Sequence, residues 1–282
     1  MTTLANAIRE AAARLPGDEA RLEAELLLAH ALERPRSWFY AHSGDVLDGS
    51  QARAFDALLR RREGGEPVAQ ITGHRGFWSL ELAVTADTLI PRPETELLVE
   101  LALERLPPAE MGQVLDLGTG TGAIALAIAS ERPLVDVSAV DVSDAALAVA
   151  RANADEAGLP LRLLQGDWFE PVAGDVYRMI VSNPPYIADD DPHLRQGDLR
   201  YEPRSALASG PESPVLQTQP FWPADGISAS KRHVSVSGLV APSETSVTSP
   251  TPQTSSINRG RHSRIKCRFS RGHTQHRAAP LA

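Results

Sequence analysis

The chain has 282 residues, of which 42% are hydrophobic and 23% charged, and its net charge is −8 at pH 7. A length of this order favours two domains. The sequence lacks the apolar run of about 18 residues that a membrane helix needs, and its acid-bearing N-terminus lacks a signal-peptide core, so we expect a cytoplasmic protein. The single cysteine, Cys267, excludes an internal disulfide framework, and we expect no metal because no Cys/His cluster has zinc spacing.

The charge is unevenly distributed along the chain. Residues 211–282 carry nine Lys/Arg and three Asp/Glu, a net charge of +6, which leaves 19 basic and 33 acidic residues, a net charge of −14, in residues 1–210. Nucleic-acid backbones are bound through clustered Lys and Arg. The acidic first part therefore argues against direct nucleic-acid binding, except through the basic tail.

Changes in hydrophobic period divide the chain into four segments. Residues 1–66 have helical spacing in stretches such as DEARLEAELLLAHAL and predict a small helical domain. Residues 67–90 change to period two and predict a β-hairpin connector. Residues 91–210 alternate strand and helix signals. Residues 211–282 hold 12 Ser and eight of the 22 Pro, a low-complexity composition that predicts a disordered or non-native tail.

The alternating segment predicts an α/β fold with an open parallel sheet. It opens with a helix after PRPET, which Thr95 or Glu94 can cap. Two further helices, AIALAIASERP and DAALAVARANADEAG, separate the later strand signals. Four strands are predicted, at 113–118, 135–143, 161–167 and 178–186.

A glycine-rich turn follows the first of these strands, in LDLGTGTGAIALAIA. Its residues are Gly118, Thr119, Gly120, Thr121 and Gly122. Glycine lets a ligand approach the backbone closely, and the start of the following helix offers free N–H donors. Asp141 ends the next strand, 19 residues after the last glycine, where a carboxylate can accept both hydroxyls of a ribose. The turn and Asp141 together predict a site for a nucleoside-containing cofactor.

The spacing of the glycines narrows the choice of ligand. GxGxG differs from the GxGxxG of dinucleotide sites and favours a ligand without a pyrophosphate, such as S-adenosylmethionine. Trp168, in the GDWFE that ends the third strand, is expected beside the same pocket, where an adenine can stack. The alternatives are that Asp116 and Asp141 cap helices or turns and that Trp168 belongs to the core.

The fourth predicted strand ends in SNPPY. Ligands of open α/β sheets bind at the carboxyl ends of the strands, so we expect this loop beside the transferable methyl group. Pro184 and Pro185 fix φ and leave nearby carbonyls as acceptors in a rigid loop, Asn183 adds a side-chain acceptor, and Tyr186 adds a flat apolar face. Such acceptors can hold a planar NH2 group and direct its lone pair at a sulfonium methyl. The alternative is a turn that simply terminates the strand.

Five motifs in order resemble the peptide chain release factor N(5)-glutamine methyltransferases, and the resemblance covers residues 1–210. The motifs are IPRPETE (90–96), LDLGTGTGAIALA (115–127), AVDVS (139–143), GDWFE (166–170) and SNPPY (182–186), accompanied by EPVAQITGHRGFW (66–78) and YEPRSALASG (201–210). The resemblance implies a Rossmann-like class I S-adenosylmethionine-dependent methyltransferase. It also implies methylation of the glutamine in the Gly-Gly-Gln tripeptide of bacterial release factors, which the helical domain helps to hold.

The resemblance further implies roles for single residues. The glycine turn lines the methionine part of S-adenosylmethionine, Asp141 the ribose and Trp168 the adenosine region. Asn183 binds the glutamine amide and contacts the cofactor, and the carbonyl of Pro184 joins it. Tyr186 packs on the glutamine side chain, and Pro185 completes the substrate loop.

Two alternatives remain open at this point. NPPY sites also occur in enzymes that methylate the exocyclic amines of adenine or cytosine, which the acidic body disfavours. Residues 211–282 depart from the family, as a genuine basic extension, as the product of a shifted reading frame or damaged gene, or as an extra domain. On the second interpretation the fourth strand would be an unpaired edge, and a poorly stable, catalytically impaired chain is expected.

Overall fold

The structure is a computed structural model that describes residues 2–109 and 111–208 and the backbone of residues 234–237. Apart from that last short stretch, the predicted low-complexity tail at 211–282 lies outside the described residues. Within the described residues, no helix is both long enough and apolar enough to cross a bilayer.

The N-terminal part is helical, as its sequence period predicts. Its helices are α1 (Leu4–Ala12), α2 (Ala20–Leu32), α3 (Trp38–His42), α4 (Gly49–Glu63) and α5 (Val68–Thr72). They share one core, in which Leu27 and Leu28 of α2 pack with Phe39 of α3 and Phe55 of α4. These side chains fall on one face of each helix, so the apolar stripe of the sequence is the core of this part of the chain.

A short antiparallel hairpin links the helices to the sheet. Strand β1 (His74–Phe77) pairs with β2 (Leu80–Ala83), which agrees with the period-two pattern. The preceding helix α5 was not predicted, because its single turn is too short to show a helical period. Pro67 precedes α5 and Gly73 ends it at φ +78°, a conformation that favours glycine.

The predicted α/β fold with a parallel sheet is confirmed. The elements that follow are α6 (Glu96–Arg105), β3 (Gly112–Leu117), α7 (Ala123–Glu131), β4 (Val135–Asp141), α8 (Asp144–Ala157), β5 (Arg162–Gln165), β6 (Met179–Ser182), α9 (Arg204–Leu207) and β7 (Val234–Ser237). The strands are ordered β5-β4-β3-β6-β7, and each neighbouring pair is parallel. The order reverses at β3, since the chain adds β4 and β5 on one side and β6 and β7 on the other.

The expectation of an unpaired edge at β6 is wrong. Residues Val234–Ser237 form a fifth strand, in the register Met179 opposite Val234 and Ser182 opposite Ser237. The stretch VSVS alternates apolar and polar residues as strands do, but four residues within a Ser/Pro-rich segment are too few to stand out. The sheet therefore has one strand more than the four predicted.

Helix α7 lies at the centre of the main core. Every residue from Ala123 to Ala129 is buried, and the helix packs with Leu98, Val99 and Val114. A helix that is apolar all round belongs in a protein interior, and its alanines allow close approach to the sheet. Helix α7 also begins directly after the glycine turn, so this packing fixes the position of the turn.

Asn153 connects the hairpin to the glycine turn from inside the protein. Its side chain is 2% exposed. Oδ1 accepts a hydrogen bond from the backbone N–H of Ala83 at 2.7 Å, while Nδ2 donates to the carbonyls of Ala83 at 3.1 Å and Thr121 at 2.9 Å. One amide therefore satisfies three buried backbone groups that belong to separate parts of the chain.

Replacing Asn153 with Ala should lower the free energy of unfolding by about 3 kcal/mol, because the three backbone groups lose their buried partner. Urea denaturation followed by circular dichroism measures this. The matched control is Asn6→Ala, because Asn6 bonds only the exposed Arg9 through its side chain, and it should cost at most about 0.5 kcal/mol. Equal losses in the two variants would contradict this role of Asn153.

Candidate active site

The predicted site residues meet at the carboxyl edge of the sheet. Leu117 pairs with Ser182 in the β3–β6 register, so Gly118 and Asn183 each stand one residue beyond a paired position. On the other side of β3, Leu117 pairs with Val140, directly before Asp141. The reversal of strand order between β3 and β6 is where ligands of open α/β sheets bind.

The glycine turn has the geometry of a ligand cradle. Gly118, Gly120 and Gly122 have φ values of +70°, +55° and +82°, which residues with a Cβ rarely adopt. A Cβ added to Gly118 or Gly120 would meet no atom within 4 Å, so these two glycines face open space. A Cβ on Gly122 would lie 3.3 Å from the side chains of Ala150 and Leu126, so this glycine allows the close packing of α7 and α8.

Asp141 holds the glycine turn in place. Oδ2 accepts a hydrogen bond from the backbone N–H of Gly120 at 2.9 Å, and Oδ1 accepts one from Ser143 at 2.9 Å. A carboxylate has about four lone-pair sites, so each oxygen keeps a second one for a ligand. The backbone contacts orient both oxygens at the carboxyl end of β4. Asp141 therefore combines the turn-stabilising role, given above as the alternative, with a geometry that still allows ligand binding.

Asp116 is a buried carboxyl group behind the glycine turn. It is fully buried, and its Oδ2 accepts a hydrogen bond from the Thr119 hydroxyl at 2.7 Å. Burial raises the pKa of Asp116 to about 7, against smaller opposing effects of the Thr119 hydroxyl and the backbone N–H of Ala125. Asp116 therefore supports the glycine turn from the interior, while the open space at Gly118 and Gly120 can take a ligand.

Two aromatic side chains border the same edge. Trp168 is 49% exposed and has φ +46°, which is uncommon for a bulky residue. Tyr186 is 50% exposed. Trp168 is therefore not a core residue, which removes the alternative given for it above, and its backbone conformation is of the kind found at ligand sites.

Asn183 contacts Thr95, which the sequence analysis predicted as a helix cap. Its Nδ2 donates to the Thr95 hydroxyl at 3.3 Å. Thr95 stands at the N-cap position of α6, but its side chain makes no capping hydrogen bond. The expectation that Thr95 caps this helix is therefore wrong, because its φ and ψ of −70° and −19° are helical rather than those of a capping residue.

A buried carboxylate fixes the segment that carries Thr95. Glu202, whose side chain is 0% exposed, pairs with Arg92 and accepts a hydrogen bond from the backbone N–H of Ile90 at 2.9 Å. Burial raises the pKa of Glu202, against the opposing charge of Arg92. On the other side of Thr95, Glu96 accepts a hydrogen bond from the backbone N–H of Trp78 at 2.9 Å. Thr95 therefore stands between two anchored positions.

The helical part of the chain contacts the loop that follows NPPY. Arg62 of α4 donates to Glu23 and to Asp198, each at 2.8 Å. Gln70 donates to the carbonyl of Tyr201 at 3.0 Å, and the Tyr201 hydroxyl donates to the carbonyl of Gly64 at 2.9 Å. Contacts over more than 130 residues of sequence therefore attach the helices to the site region.

Among the residues that the structure describes, no group of three or more His, Cys, Asp or Glu is placed to hold a metal ion. The expectation that the site needs no metal stays a prediction.

The fold and the site define a class of protein, the Rossmann-like class I methyltransferases that use S-adenosylmethionine. The defining features are the parallel sheet, the glycine cradle, the acid on the next strand and the polar loop at the point where the strand order reverses. Two family models match the chain. The PrmC N-terminal domain matches residues 6–73, and the Methyltransferase small domain matches residues 94–198.

Curated relatives are similar over most of the chain. A release factor glutamine methyltransferase of Xylella fastidiosa (strain 9a5c) is 53% identical over 191 residues, which cover 67% of this chain and 70% of the relative. The protein of the same name from Escherichia coli (strain K12) is 51% identical over 204 residues, covering 72% of this chain and 73% of the relative. Among solved structures, a SAM dependent methyltransferase from Agrobacterium tumefaciens is 25% identical in sequence and has a TM-score of 0.35. The matched region covers 40% of this chain and 39% of the Agrobacterium chain. The chain belongs to the release factor glutamine methyltransferases.

Sequence analysis missed several residues that support the site. Glu202 and Asn153 were quoted within motifs or helices but given no role, and Asp116 was not assigned to the cofactor. Their partners lie 110, 70 and 3 residues away, respectively, so two of the three contacts depend on the tertiary fold. Arg92 in IPRPETE and Glu202 in YEPRSALASG carry opposite charges. A single sequence does not show that these two residues meet.

The raised pKa of Asp116 should make stability depend on pH. An unfolded chain ionises this carboxyl near pH 4, whereas the folded chain keeps the proton until about pH 7. The contribution of Asp116 to stability is therefore fully present below about pH 4 and is lost as pH rises through about 7, by an amount on the order of 4 kcal/mol.

Asp116→Asn cannot ionise, so this loss should be absent from the variant. Measured by urea denaturation without cofactor, the stability of the variant relative to the parent chain should rise between pH 5 and pH 8. A relative stability that stays flat over this interval would show that Asp116 ionises normally in the folded protein.

Proposed function

We propose that this chain methylates the side-chain amide nitrogen of the glutamine in the Gly-Gly-Gln tripeptide of a release factor. The observation that carries the proposal is the β3–β6 register, which brings the glycine turn and the NPPY loop to adjacent positions at the carboxyl edge. Membership in the release factor glutamine methyltransferases supplies the substrate class. The named relatives favour this function over methylation of a nucleic-acid amine.

The glycine turn and its neighbours hold the cofactor in this proposal. S-adenosylmethionine supplies an electrophilic methyl group on a sulfonium. Gly118 and Gly120 leave room for the amino-acid part. The oxygens of Asp141 accept the two ribose hydroxyls, and Trp168 borders the adenine.

Asn183 and Pro184 orient the nucleophile. An amide nitrogen is a weak nucleophile because its lone pair is delocalised, so positioning has to supply much of the rate. The side-chain Oδ1 of Asn183 and the backbone carbonyl of Pro184 each accept one hydrogen of the glutamine NH2. With both hydrogens bound, the lone pair is directed along the line of displacement, and Pro185 keeps the loop rigid. Tyr186 packs against the methylene groups of the glutamine.

The same two acceptors stabilise the charge that develops. Methyl transfer would place positive charge on the glutamine nitrogen, and Oδ1 of Asn183 and the carbonyl of Pro184 would stabilise that charge. Bound S-adenosylmethionine would supply the methyl group as an electrophile, and its sulfur would keep the electron pair of the broken S–C bond. The nitrogen then loses one proton to solvent, so no strong base is needed at the site.

We also propose how this chain holds its protein partner and where in the cell it acts. Release factors are large substrates, and the helical part is attached through Arg62 and Gln70 to the loop that follows NPPY, so it is placed to hold the factor near the site. We propose a cytoplasmic location because release factors act in translation. We propose no metal and no direct nucleic-acid contact by the acidic body.

Asp141→Asn should raise the dissociation constant of S-adenosylhomocysteine by roughly 10- to 100-fold, because an amide accepts through one oxygen and loses the charge-assisted bonds to ribose. Isothermal titration calorimetry measures the constant. Asp144→Asn is the matched control, since it removes one negative charge from the exposed start of α8, and it should bind like the parent chain. Equal affinity in all three chains would exclude Asp141 from the ribose site.

Incubation of a release factor with this chain and S-adenosylmethionine should add a single methyl group to the peptide that contains Gly-Gly-Gln. Tandem mass spectrometry locates the methyl group. The product should disappear with Asn183→Ala, and also when the glutamine of the substrate is replaced with Glu, which has no amide nitrogen. If the folded chain binds the cofactor but forms no product, the proposed activity is contradicted. That result would also show that a chain with residues 211–282 as given does not catalyse the reaction.

A further inference from the structure

The side chain of Asn183 has two chemically different ends, and the proposed reaction needs a particular one. A carboxamide carries an acceptor on Oδ1 and two donors on Nδ2, and a half-turn about its last bond exchanges them. The glutamine NH2 is itself a donor. Only Oδ1 can accept from it, whereas a reversed amide would set donor against donor.

The structure contains a group that satisfies the donor end of this amide. Nδ2 of Asn183 donates to the hydroxyl oxygen of Thr95 at 3.3 Å. With Nδ2 on this side, Oδ1 points the other way, and within the described residues it has no hydrogen-bond partner. The free end of the amide is therefore the acceptor that the reaction needs.

Thr95 can hold this position because its backbone is fixed from both sides. Before it, Arg92 and Ile90 are bound to the buried Glu202, and the N–H of Thr95 itself donates to the carbonyl of Arg92 at 3.0 Å. After it, Glu96 is bound to the hairpin through the backbone N–H of Trp78.

Asn183 is equally well placed, since it follows the last paired residue of β6. That residue, Ser182, donates its hydroxyl to the carbonyl of Leu117 at 2.9 Å, which ties the end of β6 to β3. With both backbones held, the contact depends on the side-chain conformations of Asn183 and Thr95.

We propose that Thr95 is a positioning residue: its hydroxyl oxygen accepts from Nδ2 of Asn183 and so stabilises the orientation of the amide in which Oδ1 faces the substrate. This proposal rests on the proposed function, because it assigns Thr95 a part in the same reaction. It also explains why a threonine at a helix start makes no capping hydrogen bond with its side chain.

The test compares two replacements of Thr95. Thr95→Val keeps the shape of the side chain but removes the oxygen, while Thr95→Ser keeps the oxygen. Loss of one hydrogen bond of this kind corresponds to about a tenfold fall in kcat for methylation of the release factor. Thr95→Val should show that fall while its affinity for S-adenosylhomocysteine stays within about twofold, and Thr95→Ser should keep kcat within about threefold of the parent chain.

The matched control is Thr85→Val, which removes a threonine hydroxyl that bonds Asp87 in an exposed turn. It should leave kcat unchanged. A normal kcat in Thr95→Val, or equal losses in Thr95→Val and Thr95→Ser, would overturn the proposal.

A second readout separates this proposal from the proposed function. The side-chain Nδ2 signal of Asn183 in a 15N NMR spectrum, assigned by its loss in Asn183→Ala, should shift in Thr95→Val and remain in place in Thr95→Ser. If the parent chain forms no methylated product, the proposed function is contradicted. The NMR signal then tests by itself whether Nδ2 of Asn183 is bound to the Thr95 hydroxyl. An Nδ2 signal that does not respond to Thr95→Val would then overturn the role of Thr95.

Discussion

The parallel pairing of β3 with β6 determines where everything else in the site stands. The chain adds β4 and β5 on one side of β3 before it crosses to the other side with β6, so the loops after β3 and β6 leave the sheet in the same place. A shift of the register by one residue would turn the side chains of β6 to the other face of the sheet. The apolar residues Met179 and Val181 are buried, which makes such a shift costly and keeps Asn183 beside the glycine turn.

The loops themselves are held by polar groups that satisfy backbone hydrogen bonds. Asp141 binds the N–H of Gly120, Asn153 binds the carbonyl of Thr121, and Glu202 binds the N–H of Ile90. Each is a side chain from a distant element bound to the backbone of a site loop. A preorganised site of this kind does not have to order its loops when the substrate binds, and that favours reactions that depend on positioning.

Much of the fold was predictable because its signals are local. The strands at β3, β4, β5 and β6 were found from apolar runs, and the glycine turn from its spacing. Strand β7 and helix α5 were missed because four or five residues are too short for a period to emerge. In the site, strand ends could be placed by the rule for parallel sheets, but the contact of Thr95 with Asn183 joins residues 88 positions apart and could not.

The most direct test of the account is a crystal structure of this chain with S-adenosylhomocysteine and a peptide that contains Gly-Gly-Gln. The account predicts that Oδ1 of Asn183 and the carbonyl of Pro184 both lie within about 3 Å of the glutamine nitrogen, with that nitrogen facing the sulfur of the cofactor. A glutamine amide bound elsewhere, or one that meets Nδ2 of Asn183, would contradict it.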